Sequence, residues 1–367
     1  ARFVPVDPVR LFDTRDGGGA AVGPDATLDV VVAGQVGVPA DASAVVLNLT
    51  VTDTAEPGFV TAFPTGAERP VASSVNIVQP GQTRPNLVTV PIGADGQVSF
   101  YSLGAVSLIG DVAGYYVPAD GAVAAGRFVA LTPERLFDTR EAGGKLAGDT
   151  SGRVPVLGVG SVPATGVAAV VLNLTGTDAD GPGFVTAFPT GGDLPLASNV
   201  NLSFAGDTAP NLAIVPVGAD GSITVYSSHG AHVLGDVTGY ITSAAAAADT
   251  AGLFVPLTPE RAFDTRDGVG FVGAGQSVEF AIGGVGSVPA DAAGVVLNVT
   301  GIDSPLGFLT AWPTGPARPV ASTLNFVTAP LDTRANAAML PVGEEGRVSF
   351  YTLNGSHLLA DVAGYFL

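Results

Sequence analysis

Four charged residues recur in each third of the sequence. Two arginines and an aspartate occupy the motif Arg-x-Phe-Asp-Thr-Arg, and a second aspartate lies near the end of each third, before a valine. Paired carboxylates could act as acid and base in glycoside hydrolysis. The second aspartate, however, lies in an apolar run, where an unpaired buried carboxylate costs roughly several kcal/mol. The favoured interpretation is therefore a structural ion-pair network. Its members are Arg10, Asp13, Arg15, Asp111, Arg135, Asp138, Arg140, Asp236, Arg261, Asp264, Arg266 and Asp361.

Asparagines recur at three further positions of each third. Asn76, Asn201 and Asn325 follow a serine in the pattern Ser-x-x-Asn, Asn86, Asn211 and Asn336 precede an apolar run, and Asn48, Asn173 and Asn298 lie in Asn-x-Thr. The first set, with Trp312, could contact a glycan. The other interpretation is that short amide side chains satisfy backbone groups at turns and edges. We favour it for all three sets over glycan contacts or glycosylation.

Other chemistry has little support in the sequence. Cysteine is absent, and the histidines are His229, His232 and His357, none of them present in all three thirds. They form no three-ligand pattern for zinc. Calcium in loops such as Asp16-Gly17 or Asp95-Gly96 is an alternative, but no calcium-loop motif is present. Since nucleophile elbows, phosphate loops and dinucleotide fingerprints are absent as well, we expect neither an enzyme nor a cofactor.

The composition restricts the class of partner. The net charge is −18 and lysine occurs once, at Lys145. A nucleic-acid-binding protein would carry a basic stripe, so we expect no nucleic-acid partner. The apolar runs are too short and too often interrupted for a membrane-spanning helix, which needs ~20 apolar residues.

The elements that must position these residues are strands. Residues 45–52 alternate apolar and polar side chains with the period of a strand, and Asp95-Gly96 is one of several hairpin-like turn signals. No long segment has helical periodicity. The pattern predicts an all-β chain of three tandem homologous β-sandwich (jelly-roll-like) domains, at residues 1–117, 126–241 and 252–367. A closed barrel is the alternative architecture.

The two linkers have similar lengths, so one rotation should relate successive domains. A rotation near 120° without rise would close a ring, whereas a rise would give a rod whose ends can continue into a filament. We expect the rod, because a tandem chain with matched ends suits a polymer subunit.

Four ordered motifs carry a resemblance. They are Arg-Leu-Phe-Asp-Thr-Arg, Val-Val-Leu-Asn-Leu-Thr, Gly-Phe-Val-Thr-Ala-Phe-Pro-Thr-Gly and Gly-Asp-Val-Ala-Gly-Tyr. Together they resemble a repeat module of secreted actinobacterial proteins, found alone, in tandem or attached to extracellular and cell-wall enzymes. The resemblance implies export and an accessory role at the cell surface, and no activity that can be transferred residue by residue. An N-terminal Ala1 fits a mature exported protein or an engineered boundary.

These observations predict a non-catalytic extracellular structural or adhesive protein, a subunit of a cell-surface or filamentous assembly whose partners are copies of itself. The alternative is a multivalent protein that binds carbohydrate, such as cell-wall glycans, through one weak site in each domain. A hydrolase is the third and least supported hypothesis.

Overall fold

A computed structural model describes residues 1–16 and 21–367. Strands hold 54% of the chain and helices almost none, which confirms the all-β class. Each third of the sequence, called a repeat here, contributes eight strands in two four-stranded antiparallel sheets.

Repeat 1 contains strands β1–β8. They are β1 (Arg2–Asp13), β2 (Ala26–Val31), β3 (Ala44–Thr52), β4 (Gly58–Pro64), β5 (Val75–Ile77), β6 (Arg84–Pro91), β7 (Gln97–Ser102) and β8 (Ser107–Val117). One sheet has the strand order β1-β8-β3-β6 and the other has β2-β7-β4-β5. The chain therefore crosses between the two sheets after every strand except β4, which pairs with β5, and the first and last strands of the repeat pair with each other.

Repeats 2 and 3 have the same strand order. Repeat 2 consists of β9 (Phe128–Asp138), β10 (Thr150–Pro155), β11 (Val167–Thr177), β12 (Gly183–Pro189), β13 (Val200–Leu202), β14 (Ala209–Pro216), β15 (Ser222–Ser227) and β16 (His232–Thr242). Repeat 3 consists of β17 (Phe254–Asp264), β18 (Gln276–Ala281), β19 (Gly294–Ser304), β20 (Gly307–Pro313), β21 (Leu324–Phe326), β22 (Asp332–Pro341), β23 (Arg347–Thr352) and β24 (His357–Phe366).

The prediction of three tandem β-sandwich domains is wrong. The six small sheets form the blades of a six-bladed β-propeller. Three apolar cores each lie between the two sheets of one repeat, but a fourth core joins equivalent residues of all three repeats, such as Phe3, Phe128 and Phe254. Because this fourth core is shared, the repeats fold onto one another and are not separate domains on a string.

Both faces of the third strand of each repeat are consequently buried. In β3 every residue is buried: Val45 and Leu47 pack inside the repeat, while Ala44 and Val46 belong to the shared core. The polar face of this alternating strand, which carries Asn48, lies against a neighbouring repeat.

The expected rod is also wrong, because the repeats close around a pseudo-threefold axis. The backbone N–H of Phe3 donates to the carbonyl of Gly126, that of Phe128 to Gly252, and that of Phe254 to Ala1. The third contact returns to the first repeat and has the same form as the other two. The surface that could have bound the next chain in a filament instead forms the contact between repeats 3 and 1 of the same molecule.

Candidate functional site

The recurring charges form one ion-pair network in each repeat. In repeat 1, Arg10 on β1 pairs through Nε with Asp111 on the neighbouring β8, and its Nη1 lies 3.1 Å from Oδ2 of Asp13. Arg15 then binds Asp13 through Nη2 at 2.6 Å. Repeats 2 and 3 repeat these pairs with Arg135, Asp138, Arg140 and Asp236, and with Arg261, Asp264, Arg266 and Asp361.

The pKa values of the two aspartates of each network are shifted in opposite directions. Burial raises the pKa of Asp111, and the contact with Arg10 only partly offsets this effect. The hydrogen bond from Arg140 lowers the pKa of Asp138 to about 2. In both cases every carboxylate already faces an arginine, so the arrangement leaves no free acid–base pair of the kind that glycoside hydrolysis needs.

A second set of polar residues joins the repeats. Nδ2 of Asn211 donates to Oδ1 of Asn48 at 2.7 Å and to the carbonyl of Asn199 at 2.6 Å, while its Oδ1 accepts the backbone N–H of Leu87 at 3.1 Å. Asn48 in turn donates to the carbonyl of Ser198 at 2.5 Å. One amide thus satisfies three groups, two of them in another repeat.

The same bonds recur at the other two boundaries. Asn336 and Asn173 join repeats 3 and 2, and Asn86 and Asn298 join repeats 1 and 3. We call these six residues the asparagine ring. The expected bonds of Asn48, Asn173 and Asn298 to backbone are present, but they cross to the neighbouring repeat. Sequence reasoning missed this role, although the recurrence of both asparagine sets was visible.

An axial cavity of about 420 Å³ opens where the loops before β6, β14 and β22 meet. All three repeats line it, so it lies on the pseudo-threefold axis. The polar lining includes Asn76, Asn201, Arg84, Arg334 and Asp207. The ring of Phe204 also lines the cavity and is 47% exposed.

The proposed glycan contacts are therefore only partly brought together. Asn76 and Asn201 reach the axial cavity, where each accepts a hydrogen bond from a nearby serine hydroxyl. Asn325 accepts the equivalent bond from Ser322, but it does not line the cavity, although its neighbour Leu324 does. Trp312 is 6% exposed and donates to the carbonyl of Pro316, so it offers no aromatic platform.

The three histidines do not lie together at one site. His232 lies 3.1 Å from the hydroxyl of Thr139, His357 lies 3.4 Å from that of Thr265, and His229 contacts Ser228. Within residues 1–16 and 21–367 no group of three potential metal ligands is found. Gly17 of the suggested Asp16-Gly17 loop lies outside the described residues.

A third feature is a set of exposed apolar side chains at one position of all three repeats. Val71, Leu196 and Val320 are 85%, 79% and 89% exposed. They lie in the loops at residues 65–74, 190–199 and 314–323, which follow β4, β12 and β20 and are called the apolar loops here.

The apolar loops are held in one conformation. A threonine hydroxyl on the preceding strand donates to the carbonyl of the residue after each exposed side chain, as Thr61 does to Ala72 at 2.6 Å. In two repeats an arginine of the loop also stacks on a tyrosine ring, with Arg69 3.7 Å from the centroid of Tyr101. A partner that binds these loops would have little chain entropy to overcome.

A groove of about 370 Å³ runs beside the apolar loop of repeat 1. Its lining includes Val71 and Phe59 of repeat 1, together with Arg261, Arg266 and Ile302 of repeat 3. Arg261 also donates from Nη2 to the carbonyl of Val71 at 3.0 Å. The loop and the groove therefore form one surface across a repeat boundary.

The comparisons with known proteins add no family. No protein-family model matches the chain, and no curated protein matches it. In the part of the chain that the structure describes, no helix combines the length and the apolar character needed to cross a bilayer.

Proposed function

We propose that the chain is a non-catalytic structural or adhesive protein of the cell exterior that associates with copies of itself through its apolar loops. The observation that supports this proposal is the recurrence of a highly exposed aliphatic residue at one position, in Val71, Leu196 and Val320. Single exposed apolar residues are common on protein surfaces. Three at equivalent positions, each on a loop fixed by a buried threonine, are what a repeated contact surface requires.

The distribution of charge favours the apolar loops as the place where a second copy binds. The chain has 33 acidic residues and 15 basic ones. The three apolar loops, by contrast, carry two acidic residues, Glu68 and Asp193, and two basic ones, Arg69 and Arg318, and are neutral together. Contact between copies through these loops therefore avoids most of the repulsion between two acidic molecules. The extracellular location rests on the resemblance to secreted repeat modules.

Sedimentation velocity over about a hundredfold range of concentration tests the proposal, because mass action makes self-association depend on concentration. We expect the wild-type chain to form larger species as the concentration rises, and the triple variant Val71→Asp, Leu196→Asp, Val320→Asp to remain a monomer. The control is the double variant Leu103→Asp, Leu353→Asp, which adds the same kind of charge at side chains that are 39% and 37% exposed. A monomeric wild-type chain at every concentration, or equal loss of association in both variants, would contradict the proposal.

Carbohydrate binding is the second candidate, and the axial cavity favours it. The amides of Asn76 and Asn201 and the exposed ring of Phe204 are the groups with which proteins bind sugars, by hydrogen bonds to hydroxyls and by contact with an aromatic face. The geometry gives one site on the axis and not one for each repeat. A purified peptidoglycan pull-down with Asn201→Ala and Phe204→Ala would test it, and unchanged retention of both variants would contradict it.

A further inference from the structure

We infer that the axial cavity binds an oxyanion, the carboxylate or phosphate group of a small molecule, between Arg84 and Arg334. The two side chains come from equivalent positions in repeats 1 and 3 and line the cavity together. The inference does not depend on self-association, because the apolar loops do not line the cavity.

The two arginines share a single carboxylate. Nη2 of Arg84 lies 3.1 Å from Oδ1 of Asp332, and Nε of Arg334 lies 2.7 Å from Oδ2 of the same residue. Both arginine side chains are largely buried, at 12% and 13% exposure. Two cations therefore flank one anion in a partly enclosed space.

Most guanidinium donors remain available. Arg84 also donates from Nη1 to the carbonyl of Thr333 at 2.9 Å, and Arg334 makes a long contact of 3.5 Å with the carbonyl of Thr208. Within the described residues these bonds use two of the five N–H donors that each guanidinium carries. The planar donor forks that remain suit a carboxylate or phosphate.

Two acidic groups lie beside the arginines, Asp207 in the cavity wall and the buried Asp332, and both accept hydrogen bonds from their own loops while keeping their negative charge. Asp207 accepts the backbone N–H groups of Ser203 at 2.7 Å and of Thr208 at 2.8 Å. Asp332 likewise accepts backbone N–H groups of its loop at 3.2 Å. Burial lowers the pKa of Arg84 to about 10, and the neighbouring Arg334 cation contributes to this effect. A ligand anion between the two guanidinium groups would offset the repulsion between them.

The third equivalent position leaves space for a ligand. It is Ala209, so a methyl group stands where the other repeats have an arginine. The cavity of about 420 Å³ is within the size range of small-molecule sites. The exposed ring of Phe204 provides an apolar wall for the remainder of the ligand.

The test is a titration of the ¹⁵N-labelled full chain, followed at the arginine Nε resonances. The probes are sodium phosphate, sodium D-glucuronate and D-glucose, at an ionic strength held constant with sodium chloride. We expect a saturable shift of Arg84 and Arg334 with phosphate, glucuronate or both, which separates a free phosphate from an acidic sugar as ligand. The control resonance is Arg153, which is 54% exposed and paired with Asp220.

Two variants make the outcome decisive. Arg334→Gln should weaken the binding seen at Arg84 by about tenfold or more, as expected for the loss of a charge-assisted hydrogen bond. Phe204→Asp places a negative charge at an exposed position, where it cannot disturb a packed core, and should weaken binding as well, whereas Phe204→Ser should have less effect. Equal affinity in all variants, or shifts that are linear and the same at Arg153, would overturn the inference. A saturable response to glucose alone would also overturn it and would support the uncharged carbohydrate candidate instead.

Discussion

The asparagine ring makes a specific prediction for stability, which the variant Asn211→Ala tests. Asn211 is 0% exposed and makes three hydrogen bonds through a single amide. Removing the amide leaves the N–H of Leu87 and the carbonyl of Asn199 buried without this partner, together with Oδ1 of Asn48. Asn48 is 4% exposed, so little solvent reaches this contact to replace the amide.

The magnitude follows from the number of groups left without a partner. A buried polar group that loses its partner costs about 1–3 kcal/mol. Relaxation of the neighbours reduces the sum for three groups, so we expect a loss of ~3–5 kcal/mol in the free energy of unfolding, at the upper end of what single substitutions cause.

Urea denaturation followed by circular dichroism measures this loss, and Asn201→Ala is the matched control. Asn201 lies in the same repeat and accepts one bond, from the hydroxyl of Ser198. Because Asn201 is only partly buried and lines an open cavity, water can satisfy that hydroxyl, and we expect a loss below ~1 kcal/mol. If Asn211→Ala and Asn201→Ala lose the same free energy, the ring does not hold the repeats together and the reasoning fails.

Three further outcomes follow from the ion pairs and the close contacts. Asp111→Ala removes one of the two carboxylates that face the partly buried Arg10 and leaves its contact with Asp13, so it should cost ~1–3 kcal/mol in urea denaturation; a loss under ~0.5 kcal/mol would contradict a structural role for the network. Asp138 has a pKa of about 2 in the folded chain against its ordinary 3.8, so the unfolded chain takes up the proton first. Its stabilising effect should be complete above pH ~4 and be lost as the pH falls toward ~2, and Asp138→Asn should flatten that part of the stability profile. In Gly110→Ala the new Cβ would lie 2.2 Å from a phenylalanine ring of β1, so we expect a loss of ~1–3 kcal/mol from overpacking. Gly181→Ala, with no atom within 4 Å of the new Cβ, should be near neutral, and urea denaturation of both variants measures the difference.

The sequence predicts the local structure well for identifiable reasons. Alternating residues and turn residues indicated where the strands lie. One of the turn signals, Ala94-Asp95-Gly96, forms a short 3-10 turn between β6 and β7, with Asp95 at φ 54°. The argument that an aspartate in an apolar run needs an arginine predicts that Asp111 pairs with Arg10 or Arg15, and in the structure its partner is Arg10, while Arg15 binds Asp13. These inferences depend only on residues that are neighbours in sequence or on the high cost of burying an unpaired carboxylate. A single sequence is therefore enough to make them.

The arrangement of the sheets was beyond this reasoning, because alternation does not say what covers each face. Asn48 and Thr50 look like the solvent side of β3, yet they are 4% and 3% exposed. A polar residue that faces water and one that faces an amide in another repeat give the same pattern. The recurrence of Asn48 together with Asn86 was the available signal, and pairing the two sets would have predicted a contact between repeats.

Fusion of three copies into one chain gives the closed ring a property that a symmetric trimer lacks. Three identical subunits around a threefold axis place the same residue three times at every axial position. Here the equivalent axial positions hold Arg84, Ala209 and Arg334, and three equivalent positions of the shared core hold Tyr116, Ile241 and Phe366. The asparagine ring, by contrast, is the same at all three boundaries. The contacts that close the ring are therefore equivalent while the residues at the axis differ between repeats, so two arginines and one alanine give the cavity an asymmetric wall that a trimer of identical subunits would lack.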